Sequence, residues 1–209
     1  MQPSQLCDFD RSPALRKKAL ELVAGCRNRR EKFETVFDFV KELPYGLEDW
    51  DVKASRTLKQ GWGMCSGKTN LMVALLRCLG IPARYRIYRI QADAVLWTSM
   101  GSNPEVAECI TELGEMRDHV DCEVWLEKWI DCDPARDSPL ERGMIRLGAL
   151  LERKKITDGH GRVPYLRLAV FDDWARARQA RRKVRASRSK IFTRINQEFE
   201  KLRAIGKSP

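Results

Sequence analysis

Apolar side chains recur at helical spacing in three segments of the first half of the chain. The first segment follows Ser12-Pro13, a serine cap with proline at the first helical position, and the second covers residues 29–43. The third covers residues 65–79, where Gly80 is a natural C-terminal cap. Each segment predicts a helix with one buried stripe. The stripes are Leu15, Ala19, Leu22 and Val23; Phe33, Val36, Phe37 and Val40; and Leu71, Leu75, Leu76 and Leu79.

Other segments have the features of strands and loops. Residues 83–91 are rich in Tyr and Ile and predict a strand, and residues 165–171 predict a short one. The remaining predictions are a loop over 45–63, a loop over 92–118 with a short helix from Asn103-Pro104, and a long helix from about Asp172 with Ile191, Ile195, Phe199 and Leu202 on one face.

Residues 119–133 predict a β-hairpin, because apolar and polar positions alternate on both sides of a polar tip. The apolar positions of both arms have even numbers, so the two sets share a face only if the loop has an odd length. A three-residue loop, Leu126–Lys128, then places Asp121 opposite Asp133. His119 lies one diagonal step from Asp133 on the same face. The alternation therefore brings this imidazole within reach of a carboxylate.

Cys65 follows Gly61 and Gly63 at the start of the third predicted helix. A helix N-terminus carries partial positive charge and unpaired N–H groups, which favour the thiolate, the nucleophilic form of cysteine. The same N–H groups could stabilise an oxyanion on an attacked carbonyl, and the glycines would let a substrate's backbone approach closely. The alternative interpretation is a small residue at a helix start.

Several function classes are excluded by spacing and composition. The run G-M-C-S-G-K-T resembles the end of a phosphate-binding loop, but the first glycine of that motif would fall at Trp62. The 7 cysteines include no C-x-x-C pair, so neither a zinc knuckle nor a thioredoxin-type redox pair is suggested. We expect no metal and no cofactor. No export signal and no long apolar run is visible, which favours a reducing, cytoplasmic location without a membrane span.

Two motifs together resemble the transglutaminase-like superfamily of papain-related cysteine enzymes. The first is G-x-G-x-C followed by L-L-R-C-L-G-I-P-A-R, and the second is H-x-x-x-E-V followed by W-I-D-C-D-P. The resemblance covers about residues 12–137. It implies an α+β fold with a papain-like, transglutaminase-like core, in which the nucleophile helix packs on an antiparallel β-sheet. It also implies a catalytic triad of Cys65, His119 and Asp133.

With that triad, the expected activity is amide or peptide hydrolysis, or transglutaminase-type acyl transfer, through a thioester on Cys65. A peptide, a protein or a small amide would be the substrate. Candidate oxyanion or cleft residues are Gln60, Trp62, Ser66 and Asp121, the last standing where the family usually has an aromatic residue. Because some members of the superfamily only bind, the alternative is a non-catalytic module that holds a protein or nucleic acid with its cleft and basic tail.

The net charge of +10 is concentrated in the tail. Residues 151–209 hold 17 Lys and Arg against 6 Asp and Glu, whereas residues 1–150 hold 22 against 23. We predict a catalytic domain over 1–150 and a basic, mainly helical extension over 151–209 that packs on the domain or on a partner. On a helix, one side of the extension would offer an acidic partner or nucleic acid the side chains of Arg178, Arg181, Arg182 and Arg185. A solvated face is the alternative interpretation of this run.

Overall fold

The computed structural model describes residues 6–91, 116–147, 165–171 and 189–208. Within these ranges the chain forms six helices and four strands. The helices are α1 (Pro13–Leu22), α2 (Arg29–Glu42), α3 (Ala54–Gln60), α4 (Cys65–Cys78), α5 (Ser138–Arg146) and α6 (Ser189–Lys207). The strands are β1 (Ala83–Gln91), β2 (Met116–Leu126), β3 (Lys128–Cys132) and β4 (Tyr165–Phe171).

The three helices predicted in the first half of the chain are confirmed as α1, α2 and α4. The loop predicted over 45–63 was wrong in part, because α3 lies inside it. Only Ala54 and Thr57 of this short helix are buried, so its sequence shows no apolar stripe that would reveal it. Gly61 ends α3 in the left-handed conformation with φ of 74°, which glycine adopts without strain.

Helix α4 is buried on nearly all sides, which its single apolar stripe does not predict. Its polar side chains are hydrogen-bonded to backbone carbonyls of other segments. The Thr69 hydroxyl donates to the carbonyl of Val120 at 3.1 Å, and the Asn70 amide donates to the carbonyls of Leu6 and Val52 at 2.7 and 2.9 Å. These bonds satisfy groups that would otherwise be costly to bury.

The four strands form an antiparallel sheet in the order β3-β2-β1-β4. One face is apolar and packs against α4; it is lined by Tyr85, Ile87, Val120, Cys122 and Val124. The opposite face carries polar residues, including Arg86 and Asp121, which are cross-strand partners on β1 and β2. An antiparallel sheet with one apolar face commonly alternates in this way.

The register predicted for the hairpin is confirmed. Trp125 pairs with Trp129, and the pairing continues one step into the predicted loop, where Leu126 pairs with Lys128. Glu127 alone forms the tip, with φ of 66°. The predicted start at residue 119 was wrong, since β2 already begins at Met116.

Helix α6 packs on α5 in a second apolar cluster, with Tyr45 and Leu47 of the chain before α3 against it. The two helices come so close that glycine is needed on both, at Gly143 and Gly206. The cluster consists of Leu140, Met144, Ile195, Phe199 and Leu202. The face predicted for the last helix is thus buried at the three of its positions whose side chains are described, Ile195, Phe199 and Leu202.

Several predictions fall outside the described residues. They are the short helix from Asn103, the domain boundary at residue 150, the start of the last helix at Asp172, and the candidate anion-binding side chains Arg178, Arg181, Arg182 and Arg185. Among the helices that the structure describes, none combines the length and apolar character needed to cross a membrane.

Candidate active site

Cys65 is the first residue of α4 and is only 4 % exposed. The preceding residue, Met64, has extended backbone, which is typical of the position before a helix. The first N–H groups of a helix have no partner within it and point out of its N-terminus. The Cys65 thiol therefore lies where a helix favours negative charge.

The glycines around Cys65 make room for the chain's own Glu48. A Cβ added at Gly63 would come within 3.1 Å of Glu48 Oε1, and one at Gly67 within 2.7 Å. The same carboxylate oxygen accepts a hydrogen bond from the Met64 N–H at 3.2 Å. At Gly63 we expected a close approach by the substrate, but the structure shows a close approach by the buried side chain of Glu48. Burial raises the pKa of Glu48, against the hydrogen bonds from Gln60 and Met64.

The hairpin brings His119 and Asp133 together. Nε2 of His119 lies 3.1 Å from Oδ2 of Asp133, and the two residues are 5 % and 1 % exposed. The second carboxylate oxygen, Oδ1, accepts a hydrogen bond from the backbone N–H of Ala135 at 2.9 Å. This N–H fixes the carboxylate in the orientation that meets the imidazole.

His119 also contacts Cys65, and the pKa of its imidazole reflects both neighbours. Burial by itself lowers the pKa of His119, but negative charge at Asp133 and Cys65 and hydrogen bonds to both raise it to about 10. With Nε2 turned to Asp133, Nδ1 is the ring nitrogen left for the thiol. The three residues singled out by the sequence therefore lie in one connected group, with the imidazole between two acidic groups.

Asp121 lies beside this group and is held by an arginine that the sequence did not suggest. Arg86 on β1 donates to both oxygens of Asp121, with Nε to Oδ1 at 2.7 Å, and to Asp131 on β3. Burial raises the pKa of Asp121 to about 7, with Arg86 acting against the rise and Asp133 adding to it. The candidate cleft residue Asp121 is thus part of an arginine–carboxylate cluster.

The other candidate cleft residues have different surroundings. Gln60 uses its amide N–H groups within the loop, donating to Glu48 at 2.9 Å and to the carbonyl of Trp62 at 2.7 Å. The Trp62 ring covers Gly46. The Ser66 hydroxyl is buried and has no hydrogen-bond partner among the described residues. Gln60 therefore holds the loop before the nucleophile in this arrangement, and the oxyanion role of all three remains a prediction.

Lys68 is a further residue near the site that sequence reasoning missed, besides Arg86 and Glu48. It lies one turn after Cys65 on α4, is 0 % exposed, and donates from Nζ to three backbone carbonyls. Its position could have revealed it, because Lys68 follows the proposed nucleophile by three residues on a helix that its apolar residues predict to be buried. Within the described ranges, no group of three or more His, Cys, Asp and Glu side chains could hold a metal ion.

Two solved structures match this chain. A structure named "Putative Cysteine Protease from Cytophaga hutchinsonii" shares the fold, with a TM-score of 0.54 and 23 % identity over 84 % of this chain. The chain spans 47 % of that protein's length. A Rad4-Rad23 complex bound to a 6-4 photoproduct UV lesion matches with a TM-score of 0.30 and 13 % identity over 97 % of this chain and 56 % of its own, which is too weak to support an inference.

The sequence itself decides the family. No protein of curated function matches at a significant level. The profile of the transglutaminase-like superfamily matches residues 16–134, more than half of the 209 residues, and this range contains Cys65, His119 and Asp133. The chain therefore belongs to the transglutaminase-like superfamily.

Proposed function

We propose that the protein is a cysteine-dependent acyl-transfer enzyme, an amide or peptide hydrolase or a transglutaminase-type acyltransferase. The observation that carries the proposal is the contact of His119 with both Cys65 and Asp133 at the N-terminus of α4. A nucleophile, a base in hydrogen-bond reach of it, and a carboxylate that orients the base are the parts that nucleophilic catalysis needs.

In the proposed reaction the Cys65 thiolate attacks the carbonyl carbon of an amide, and the oxyanion forms beside the free N–H groups of the first turn of α4. The C–N bond breaks as the His119 imidazolium gives its proton to the leaving amine, which leaves a thioester on Cys65. Water or a second amine then attacks the thioester. His119 takes a proton from this acceptor and the Cys65 thiolate leaves, which restores the starting imidazolium and thiolate.

The role of Asp133 follows from the position of His119. A buried imidazolium is unfavourable unless a negative charge accompanies it, and Asp133 Oδ2 lies 3.1 Å from Nε2. The bond fixes the ring so that Nδ1 is presented to the thiol. Asp133 thus keeps the imidazole both charged and oriented, while its own Oδ1 is held by the Ala135 N–H.

The test compares the reactivity of Cys65 with that of Cys26. Among the described cysteines, Cys26 and Cys78 are more exposed than Cys65, and burial raises the pKa of the Cys78 thiol to about 11, so Cys26 is the better reference. Exposure alone predicts that iodoacetamide labels Cys26 first. An activated thiolate predicts that Cys65 is labelled at least about tenfold faster at neutral pH, with the sites read by mass spectrometry.

The same experiment includes His119→Gln and Cys65→Ala. His119→Gln should reduce labelling of Cys65 to the rate of Cys26, and Cys65→Ala should abolish turnover of a panel of peptide amides. Release of free amine in water indicates a hydrolase, whereas incorporation of an added primary amine indicates an acyltransferase. The proposal fails if Cys65 is labelled no faster than Cys26 and Cys65→Ala keeps any activity that the panel detects. Slow labelling of Cys65 together with no turnover of any substrate would instead favour the non-catalytic binding module.

The cytoplasmic location and the binding role of the basic tail are also proposals. All six described cysteines carry free thiols, which fits a reducing, cytoplasmic setting. A protein or peptide is the substrate class to test first. Binding of nucleic acid or an acidic protein by the arginines of residues 176–190 would show a steep loss of affinity with salt.

A further inference from the structure

We propose that Lys68 is a positioning residue for this site, tying the first turn of α4 to the backbone segment that holds Asp133. The inference rests on the proposed function, because it assigns a further residue to the same reaction. Lys68 does not touch the reacting atoms. It acts through Ala135 and Asp133 on the orientation of His119.

The ammonium of Lys68 joins three segments of the chain. Nζ donates to the carbonyl of Lys41 at 2.9 Å, to that of Leu43 at 2.6 Å and to that of Ala135 at 2.7 Å. An ammonium has three N–H donors, so each one has a carbonyl partner. The first two carbonyls lie at the C-terminal end of α2, where backbone oxygens lack helical partners and a cation is favourable.

The third carbonyl connects Lys68 to the proposed triad. Ala135 accepts from Lys68 through its carbonyl and donates through its N–H to Asp133 Oδ1 at 2.9 Å. Asp133 Oδ2 then meets His119 Nε2 at 3.1 Å. Cys65 and Lys68 lie on the same turn of α4, and both thus act on His119. Cys65 contacts His119 directly, and Lys68 controls where the carboxylate behind the imidazole lies.

A role in packing alone does not account for a lysine at this position. A fully buried cation is costly, and an apolar side chain of the same length would fill the space without that cost. Burial lowers the pKa of Lys68 to about 7, with Lys41 adding to the effect and Asp137, Asp133 and Glu42 opposing it. What an apolar residue cannot do is hold three carbonyl oxygens at one point. The hydrogen bonds to three carbonyls therefore offset the cost of burying the ammonium, and they fix the distance between α4 and the segment that holds Asp133.

Lys41 provides a matched control. Its Nζ donates to the carbonyl of Arg136 at 2.9 Å and pairs with Glu141 at 2.7 Å, so these two bonds hold the residue after Ala135, and neither of them involves Ala135 or Asp133. Lys41→Met and Lys68→Met each remove one largely buried ammonium bonded to this segment. Only Lys68→Met removes the bond to Ala135. A purely structural role would affect the two variants alike.

The experiment measures the titration midpoint of His119 by NMR and the labelling rate of Cys65 in Lys68→Met, Lys68→Gln, Lys68→Arg and Lys41→Met. We expect Lys68→Met and Lys68→Gln to lower the midpoint and to slow labelling by roughly 10- to 100-fold, the loss typical of misplacing a group by about 1 Å. Lys68→Arg, which keeps several N–H donors at this position, should recover part of both. Lys41→Met should lose stability but keep the midpoint and the labelling rate of the unmodified protein.

The proposal is overturned if folded Lys68→Met and Lys68→Gln match Lys41→Met in both readouts. It is also overturned if no Lys68 variant folds while Lys41→Met does, because Lys68 would then serve the fold rather than the site. The titration midpoint of His119 can be measured without a substrate. If the protein proves not to be an enzyme, the failure shows in the unmodified protein as slow labelling of Cys65, and the midpoints still decide the role of Lys68.

Discussion

Adding one methyl group at Gly143 should push α5 and α6 slightly apart and destabilise the protein. A Cβ built at this glycine of α5 would lie far closer than 3.0 Å to the backbone carbonyl of Leu202 on α6, nearer than real Cβ atoms come. The obstacle is backbone rather than a flexible side chain, so no change of rotamer relieves it. The two helices must move apart by on the order of 1 Å to regain ordinary contact.

The expected loss of stability follows from two opposing contributions. Overpacking a well-packed contact costs about 1–3 kcal/mol, and the upper end applies because both sides are helical backbone. Alanine in place of glycine within a helix returns about 1 kcal/mol. The net effect of Gly143→Ala is therefore a loss of about 2 kcal/mol in the free energy of unfolding. For a protein of this size that corresponds to a fall in Tm of roughly 4–8 °C.

Thermal and urea unfolding, followed by circular dichroism, measure this loss directly. Gly25→Ala is the matched control, since an added Cβ there meets nothing within 4 Å and should change stability by less than about 0.5 kcal/mol. Gly206→Ala, where the Cβ would collide with the carbonyl of Pro139, should resemble Gly143→Ala, and the double variant should lose less than the two single losses together. If Gly143→Ala is as stable as Gly25→Ala, the close packing of α6 on α5 is refuted.

Three further predictions concern charged groups. The NMR midpoint of His119 should lie near 10, and Asp133→Asn should lower it markedly, because burial is then opposed only by the smaller effect of Cys65. Arg203→Met should cost about 3–5 kcal/mol in urea unfolding, since it leaves Asp137 buried without its main partner, and an unchanged stability would contradict a buried ion pair. Burial raises the pKa of Asp137, but Arg203 and the backbone amide of Tyr45 hold it below its ordinary value. Its contribution is therefore present above about pH 4 and lost as the pH falls through the folded pKa, so the gap in stability between the unmodified protein and Asp137→Asn should narrow on acidification.

The parts of the site that the sequence predicted depend on local geometry. In the hairpin, side chains alternate between the two faces, and the apolar residues of both strands must share one face. The loop must therefore have an odd number of residues, which predicts the observed pairing of Trp125 with Trp129. The same argument placed His119 near Asp133. The start of α4 at Cys65 could also be predicted from the sequence, because glycines precede it and an apolar stripe follows.

The parts that were missed depend on pairing between distant segments. Arg86 meets Asp121 only through the register of β1 against β2, and the connection between these strands, residues 92–115, is too long to fix a register by parity. Glu48 reaches the N-terminus of α4 across 16 residues that include the unpredicted helix α3. No periodic pattern in a single sequence records such a contact. These residues can be identified only after the chain has been folded.

The placement of Cys65 depends on polar anchors as much as on apolar packing. The apolar stripe of α4 sets which side of the helix meets the sheet, but an apolar contact has no direction and tolerates sliding along the helix axis. Hydrogen bonds to fixed carbonyls do not tolerate such sliding, because they weaken steeply as length and angle depart from their optimum. Lys68, Thr69 and Asn70 lie on successive positions, so their side chains leave the helix in different directions and reach different segments. Such bonds resist rotation as well as translation of the first turns of α4. The polar residues that obscure the amphipathic pattern of this helix are therefore the ones that fix where its first residue, the proposed nucleophile, lies.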